Sequence, residues 1–266
     1  MRRHPKLLSI IIPVYKMEKK IAANLQTVLQ DLKTLPCPYE VITVVDGTKA
    51  DKSYKQAKKI KSHLHRVIGY PHNRGKGYAV RFGMAHSRGD VVGFLDSGGD
   101  INAKGIPLIL EHFRWYDADV IIGSKRHSAS KVHYPWQRRI LSFVYQKLVW
   151  IMFGLNVQDT QVGIKLFKRP VLEKVLPRLI VKKFAFDIEI LAVAHHLGHT
   201  RIYDAPVELI FPGDSTVTSK NFWKVSLDTL VDTLAVFYRL RILHYYDDAS
   251  KRKWIFDKEL NFKVNV

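Results

Sequence analysis

The chain has 266 residues, 47% of them apolar and 25% charged, enough to bury a full core as one large domain or two small ones. A formal net charge of +19 points to anionic partners: nucleic acid, anionic lipid, or nucleotide and phosphate substrates. The single cysteine, Cys37, excludes an intrachain disulfide and suits a reducing compartment.

No segment offers the run of about 18 uncharged apolar residues that a spanning helix needs. The nearest, Ile140 to Val157, is broken by Gln146 and Lys147. Basic residues at Arg2, Arg3 and Lys6 precede an apolar run, Leu7 to Val14, that is too short for a signal peptide and reads as a first, buried strand. From Glu18 to Lys33, apolar residues at Ile21, Leu25, Val28, Leu29 and Leu32 fall on one helical face. A Pro-Cys-Pro break leads to a second strand, Tyr39 to Val45, which ends in the turn Asp46-Gly47-Thr48. A polar helix through Lys61 and a third strand, Arg66 to Tyr70, follow. Alternating strands and helices predict an α/β fold with a mostly parallel, doubly wound sheet and helices on both faces.

His72-Asn73-Arg74-Gly75-Lys76-Gly77 opens a helix running to about Ser87, and glycines around a lysine at a helix start suit phosphate. The pattern is neither a Walker loop nor a complete dinucleotide fingerprint. Next, Val91 to Leu95 reads as a buried strand that ends in Asp96-Ser-Gly-Gly-Asp100. Open α/β sheets bind ligands beyond the carboxyl ends of their strands. Two hard oxygen donors there, Asp96 and Asp100, suit a divalent cation carrying a phosphate; a solvated acidic turn is the alternative.

A helix from Lys104 to Trp115 and a strand from Asp119 to Gly123 lead to the basic cluster Ser124-Lys125-Arg126-His127. Trp136-Gln-Arg138-Arg139 precedes an aromatic helix, Ile140 to Phe153, and a loop at Asp159-Thr160-Gln161 precedes a strand, Gly163 to Phe167. A helix begins at Phe184, with Asp187 and Glu189 near its N-terminus, where carboxylates suit the dipole. Arg201 to Phe211 reads as a strand, and Lys220 to Tyr246 as an amphipathic helix carrying Phe222, Trp223, Phe237, Tyr238, Tyr245 and Tyr246.

Several motifs recur in a family's order: Ile10-Ile-Ile-Pro13-Val-Tyr15, Val44-Val-Asp46-Gly47, Gly75-Lys76-Gly77, Gly89-Asp90 with Asp96, Gly123-Ser124-Lys125, Asp159 to Phe167, and Phe184-Ala-Phe-Asp187-Ile-Glu189. Over residues 7–212 the chain resembles a family 2 inverting glycosyltransferase of the GT-A (Rossmann-like) fold, and within it the polyprenyl-phosphate sugar transferases such as dolichyl-phosphate mannose and glucose synthases. The resemblance implies a nucleotide diphosphate sugar donor and a divalent metal, Mg²⁺ or Mn²⁺. It implies further that Pro13 and Tyr15 line the nucleotide site, that Asp46 meets the base, and that the loop from Asp96 holds the metal. Lys76, Lys125, Arg126, Arg138 and Arg139 would face phosphates, with Gln161 and Asp187 near sugar and acceptor.

Two departures stand out. The family's Asp-X-Asp has Gly98 at its second acidic position, which leaves Asp100, the loop's fifth residue, as the second metal ligand. The family's Asn-Glu in the first loop is Lys16-Met17, with Glu18 the nearest carboxylate.

Transfer from a nucleotide sugar leaves a diphosphate with growing negative charge, which a metal and Lys/Arg donors stabilise. A sugar hydroxyl acceptor would need a general base, whereas a lipid phosphate is already ionised. The resulting expectation is a catalytic domain over residues 1–215 and an amphipathic, aromatic and basic helical extension over 216–266. The expected enzyme moves a mannose or glucose onto a polyprenyl phosphate, peripheral on the cytoplasmic face of a membrane and without nucleic acid. The extension could lie in the headgroup layer, pack on the domain, or form a homo-oligomer interface. Two alternatives remain: a saccharide or other hydroxyl acceptor, and a nucleotide-sugar-binding protein whose catalytic loop has decayed at Gly98.

Overall fold

Leu8–Val14 (β1) is buried at every position because helices cover both of its faces. Its alternate residues feed two separate cores, Leu8, Ile10, Ile12 and Val14 on one side and Ile11 on the other. The computed structural model describes residues 3–98, 102–127, 129–130, 136–183, 185–207, 222–250 and 253–265, without the side chains of 136–141 and 222–225.

After β1 come α1 (Ile21–Asp31), β2 (Tyr39–Asp46), α2 (Ser53–Ala57), β3 (His65–Tyr70), α3 (Lys76–Ala85) and β4 (Val91–Leu95). The chain continues through α4 (Ile106–Trp115), β5 (Val120–Ser124), α5 (Trp136–Phe153), β6 (Ile164–Lys168), α6 (Arg169–Val175), α7 (Phe186–His196) and β7 (Ile202–Pro206). It ends in α8 (Phe222–Arg241) and a hairpin of β8 (Trp254–Asp257) and β9 (Phe262–Asn265).

Seven strands form one sheet in the order β3-β2-β1-β4-β6-β5-β7. Neighbours β1, β2, β3 and β4 run parallel, as do β5 and β7, while β6 lies antiparallel between β4 and β5. The reversal at β6 departs from the all-parallel rhythm of the first half. It brings Ile164, at the start of β6, level with Leu95 at the end of β4.

The seven strands of the main sheet match the expected runs, apart from the end of β7, whose expected residues 208–211 lie outside the described ones. The polar helix expected through Lys61 stops at Ala57, where Lys59 and Ile60 donate to carbonyls three residues back and tighten the chain into turns. α6, which opens on Arg169-Pro170, had not been anticipated.

The C-terminal extension also differs from the helix-only expectation. His244, at φ +47°, takes the chain out of helix beyond Arg241, and the alternating Trp254-Ile-Phe-Asp and Phe262-Lys-Val-Asn pair as a hairpin. This extension shares the molecule's larger core: Val236, Leu240, Tyr245, Tyr246 and Leu260 are buried with residues of α3 and α7. Buried Arg178 donates to the Tyr246 carbonyl at 3.0 Å and pairs with Asp248, and His196 of α7 pairs with Asp247.

Two neighbouring helices turn apolar stripes outward. On α5 these are Phe143, Val144, Trp150 and Ile151, with the Lys147 ammonium 5.4 Å from the Phe143 ring and 5.7 Å from that of Trp150. On α8 they are Leu227, Val231, Leu234 and Tyr238, continued by Ile242 and Leu243. The helices meet through the Tyr145 and Thr233 hydroxyls at 2.9 Å and an edge-on Phe153–Phe237 contact.

Candidate active site

The strand order reverses direction at β1, whose neighbours β2 and β4 lead to opposite edges of the sheet. A crevice opens at such a switch point, beyond the carboxyl ends of the strands. Tyr15, just past β1, is 44% exposed there and offers an aromatic face. Pro13 lies within β1, buried and in register with Val44. The β1 and β2 loops are tied together: Met17 N donates to Ser53 Oγ at 2.7 Å, and Lys52 N to Glu18 Oε2 at 3.1 Å. Glu18 therefore braces a turn.

Asp96 follows β4 with its side chain 40% exposed. Its N–H donates to the Gly163 carbonyl at 2.8 Å, a contact set up by the antiparallel β6. A Cβ on Gly163 would lie 2.1 Å from Asp96 Oδ2, so only glycine permits this approach. The Ser97 carbonyl accepts from Asn24 Nδ2 at 2.9 Å, which fixes the loop from the α1 side. Asp100, the expected second ligand, lies outside the described residues.

The Lys76 ammonium sits on the Asp96 carboxylate, 3.0 Å from Oδ1 and 3.1 Å from Oδ2. It also donates to Asp187 Oδ2 at 3.2 Å, while the fully buried Lys165 donates to Asp187 Oδ1 at 2.5 Å. Asp96, Lys76, Asp187 and Lys165 thus form one line of alternating charge running from solvent into the core. Burial alone would raise the Asp187 carboxyl, but Lys165 and Lys76 outweigh it and hold the group below the usual carboxylate range. Burial would likewise lower the Lys76 ammonium, and Asp187 and Asp96 hold it above its ordinary value. Asp187 was expected near sugar and acceptor. At 2% exposure and with an ammonium on each oxygen, it anchors the two lysines.

Asp46, expected to meet the base, is similarly engaged. Its carboxylate accepts from Asn73 Nδ2 at 2.8 Å, Arg74 N at 2.6 Å and Gly75 N at 2.9 Å, and so shapes the loop that delivers Lys76. Gly75 adopts φ +101° and ψ 159°, a region essentially reserved for glycine, and a Cβ there would meet the Lys182 carbonyl at 2.3 Å. That carbonyl accepts from Gly77 N and Tyr78 N. Its loop is held in turn by buried Glu189, which accepts from Ile180 N, Val181 N and the Tyr246 hydroxyl.

Across the crevice, Lys125 follows β5 and lies near half-buried Asp159, whose carboxyl is raised by desolvation against the opposing pull of Lys125. Arg126 folds away from the role of a phosphate clamp: its Nη1 donates to the carbonyls of Ser142 and Gln158 at 3.3 and 3.4 Å, and it lies over Phe143. Gln161 keeps its Nε2 buried, beside the Tyr145 hydroxyl. Arg138 and Arg139 fall on the first turn of α5, and their side chains lie outside the described residues.

Lys165 lies within the Asp159 to Phe167 motif without a role assigned from sequence, although a lone lysine in the apolar run Gly163 to Phe167 signals a buried acid. Tyr246 and Glu189 carried no such signal, because their contact spans 57 residues.

A metal requires hard oxygen donors. Among the described residues no group of three or more His, Cys, Asp or Glu side chains converges on one point. Mg²⁺ and Mn²⁺ ions that ride on a diphosphate need only one or two carboxylates besides phosphate and water, and the half-open Asp96 carboxylate fits that requirement.

Replacing Asp187 by Asn should leave Lys165 buried without a counter-charge and cost about 3–5 kcal/mol in urea unfolding. Asp204, behind the Lys125–Arg126 loop, accepts from Gln158 N at 2.9 Å, but its Oδ1 is buried without a partner. Burial, with Asp159 adding, pushes its carboxyl up from 3.8 to about 6. A raised carboxyl favours the fold when protonated, and that contribution is lost as pH rises through the folded value. Asp204→Asn should therefore stabilise the protein by about 1–3 kcal/mol near neutral pH and have no effect below about pH 4. Urea unfolding at the two pH values checks this.

Residues 9–176 match the model of the family described as glycosyl transferase family 2. The chain is 34% identical over 205 residues to a dolichyl-phosphate beta-glucosyltransferase of Drosophila melanogaster, and 32% identical over 204 residues to that of Homo sapiens. Each alignment covers 71% of this chain and 63% of the relative, so the chain spans less than two thirds of their length. Among solved structures, glucosyl-3-phosphoglycerate synthase from Mycobacterium tuberculosis, in complex with Mn²⁺, UDP and phosphoglyceric acid, superposes with a TM-score of 0.63 at 16% identity. That superposition covers 87% of this chain and 78% of the other, and it agrees with a GT-A architecture for the mixed sheet and its helices. With the family model spanning β1 through α6, and so six of the sheet's seven strands, the chain belongs to glycosyl transferase family 2.

Proposed function

We propose that this protein transfers glucose from a nucleotide diphosphate sugar to a dolichyl-type polyprenyl phosphate at a membrane surface, with inversion at the sugar carbon. The observation that carries the reading is the Asp96–Lys76 pair at the switch point of the sheet, a carboxylate and an ammonium placed together where a diphosphate would lie. The dolichyl-phosphate beta-glucosyltransferases it resembles support glucose over mannose, and a lipid phosphate over a saccharide.

In this mechanism an anionic oxygen of the acceptor phosphate attacks the anomeric carbon. The bond to the donor diphosphate breaks, and its electron pair leaves with that diphosphate. The nucleophile is already ionised, so no side chain has to remove a proton. That matches Asp187, which two ammonium groups keep charged and inaccessible. Tyr15 would support the nucleotide, Lys76 and Lys125 would meet phosphate oxygens, and Gln161 would lie near sugar and acceptor. A divalent cation held by Asp96, with Asp100 as its second candidate ligand, would neutralise charge on the departing diphosphate.

A lipid acceptor also gives the outward stripes of α5 and α8 a purpose. Helices with exposed Trp150, Ile151, Val231 and Leu234 beside Lys147 suit the headgroup boundary of an anionic membrane, and a net charge of +19 adds long-range attraction. No helix among the described residues is long and apolar enough to cross it.

Purified protein given UDP-[¹⁴C]glucose, dolichyl phosphate and Mn²⁺ should produce organic-extractable label. Chelation should abolish it, and Asp96→Ala should reduce it about 100-fold or more. Label appearing only on a saccharide would overturn the acceptor, and nucleotide binding without transfer to any acceptor would overturn the catalytic reading. In flotation with phosphatidylserine vesicles the protein should rise with the lipid, whereas Ile151→Glu/Val231→Glu, at positions 73% and 62% exposed, should remain in the aqueous fraction with an unchanged circular dichroism spectrum.

A further inference from the structure

The loop that delivers Lys76 is held on its inner side by Asp46 and on its outer side by a residue from the far end of the chain. Glu259 lies in the turn between β8 and β9, 185 residues from Arg74. Arg74 Nη2 donates to Glu259 Oε1 at 3.1 Å, Nη1 reaches the other carboxylate oxygen, and the Tyr78 hydroxyl donates to Oε2 at 2.7 Å. Arg74 Nη1 also donates to the Tyr78 hydroxyl at 2.6 Å, which closes a three-membered ring of contacts across the first turn of α3. The guanidinium rests 4.7 Å from the Tyr78 ring centre and 5.3 Å from that of Tyr70. Hydrogen bonds from Arg74 and Tyr78 hold the Glu259 carboxyl below its ordinary range.

The turn that presents Glu259 is itself fixed. Asp257 Oδ1 accepts from Glu259 N at 2.8 Å and Leu260 N at 3.1 Å, and Leu260 is buried in the main core at 1% exposure. Glu259 therefore comes to Arg74 on a rigid mount. The loop it grips has little rigidity of its own, since Gly75 and Gly77 flank Lys76 and the backbone there passes through a conformation reserved for glycine. Lys76 Nζ must nevertheless stay within 3.2 Å of two separate carboxylates.

We propose that Glu259 is a positioning residue of the donor site: acting through Arg74, it locks the loop that aims Lys76, so that the C-terminal hairpin completes the place where a nucleoside diphosphate binds. The inference rests on the nucleotide-sugar reading above. It assigns a task to a segment beyond residue 176, where the family match ends.

The test measures UDP binding in the presence of Mn²⁺ by calorimetry, for the wild-type protein, Glu259→Ala, Glu259→Gln, Arg74→Ala and the double Ala variant, each with a thermal unfolding curve. Glu259→Ala should weaken UDP binding about tenfold, the scale of one lost charge-assisted contact. Glu259→Gln, which still accepts from Tyr78, should fall between it and wild type. In the Arg74→Ala background the Glu259 change should add less than about twofold, because the two residues act as one unit. Unchanged or tighter UDP binding by Glu259→Ala would overturn the proposal, as would full additivity with Arg74→Ala. A loss of melting temperature with unaltered UDP affinity would reduce the contact to a structural ion pair and overturn it equally. Failure of the wild-type protein to bind UDP would instead count against the nucleotide site itself, and this inference would fall with it.

Discussion

Burying Asp187 is the constraint from which much of this molecule follows. An unpaired carboxylate in the interior costs several kcal/mol, and a lone ammonium such as Lys165 costs as much. Each satisfies the other at 2.5 Å, but the carboxylate has a second oxygen, and Lys76 supplies its partner from α3. Lys76 in turn has spare donors, which fall on Asp96. The core's need for neutrality therefore reaches the crevice as a lysine aimed at a solvent-facing carboxylate. Three elements of the sheet and its helices, β6, α7 and the start of α3, are tied by this line.

The second organising feature is how many separate segments converge on the short stretch from Asn73 to Tyr78. Asp46 takes its backbone N–H groups from the strand side, and Lys182 takes those of Gly77 and Tyr78 from the loop before α7. Glu259 takes the Arg74 side chain from the C-terminal hairpin. Glycines make this stretch adaptable, and the surrounding contacts restrict it to one arrangement. Preorganised donors stabilise developing phosphate charge without reorganisation when it appears, and a loop pinned on three sides meets that condition.

The match to glycosyl transferase family 2 ends at residue 176, yet Asp187, Glu189, Tyr246 and Glu259 lie beyond it. Family membership accounts for the sheet, the crevice and the carboxylate after β4. Part of what steadies the lysine in the crevice comes from α7 and the extension, which share the larger core with α3. The extension thus has an inner face that completes the core, and an outer face of apolar side chains on α8.

Much of this was legible without coordinates. The buried runs Leu8–Val14, Tyr39–Asp46 and Val91–Leu95 announce parallel strands, since a strand covered on both faces reads as a nearly continuous apolar run. Asp96 at a strand end, and Lys76 between glycines, are local patterns that a reader of the chain can find. The hairpin at Trp254–Asp257 and Phe262–Asn265 was missed because an aromatic, basic stretch supports a helical and an alternating reading alike until its partner strand is known. The partners of Asp46 and Asp187 were out of reach for a related reason: a carboxylate's neighbours are brought to it by the fold. The sequence by itself determined the strands of the main sheet, the crevice and the family, because these follow from periodicity and from motifs only a few residues long. Only the tertiary structure decided which charges meet, since Lys76 to Asp187 spans 111 residues and Arg74 to Glu259 spans 185, and pairing at that range is chosen by packing and the need to satisfy buried charge.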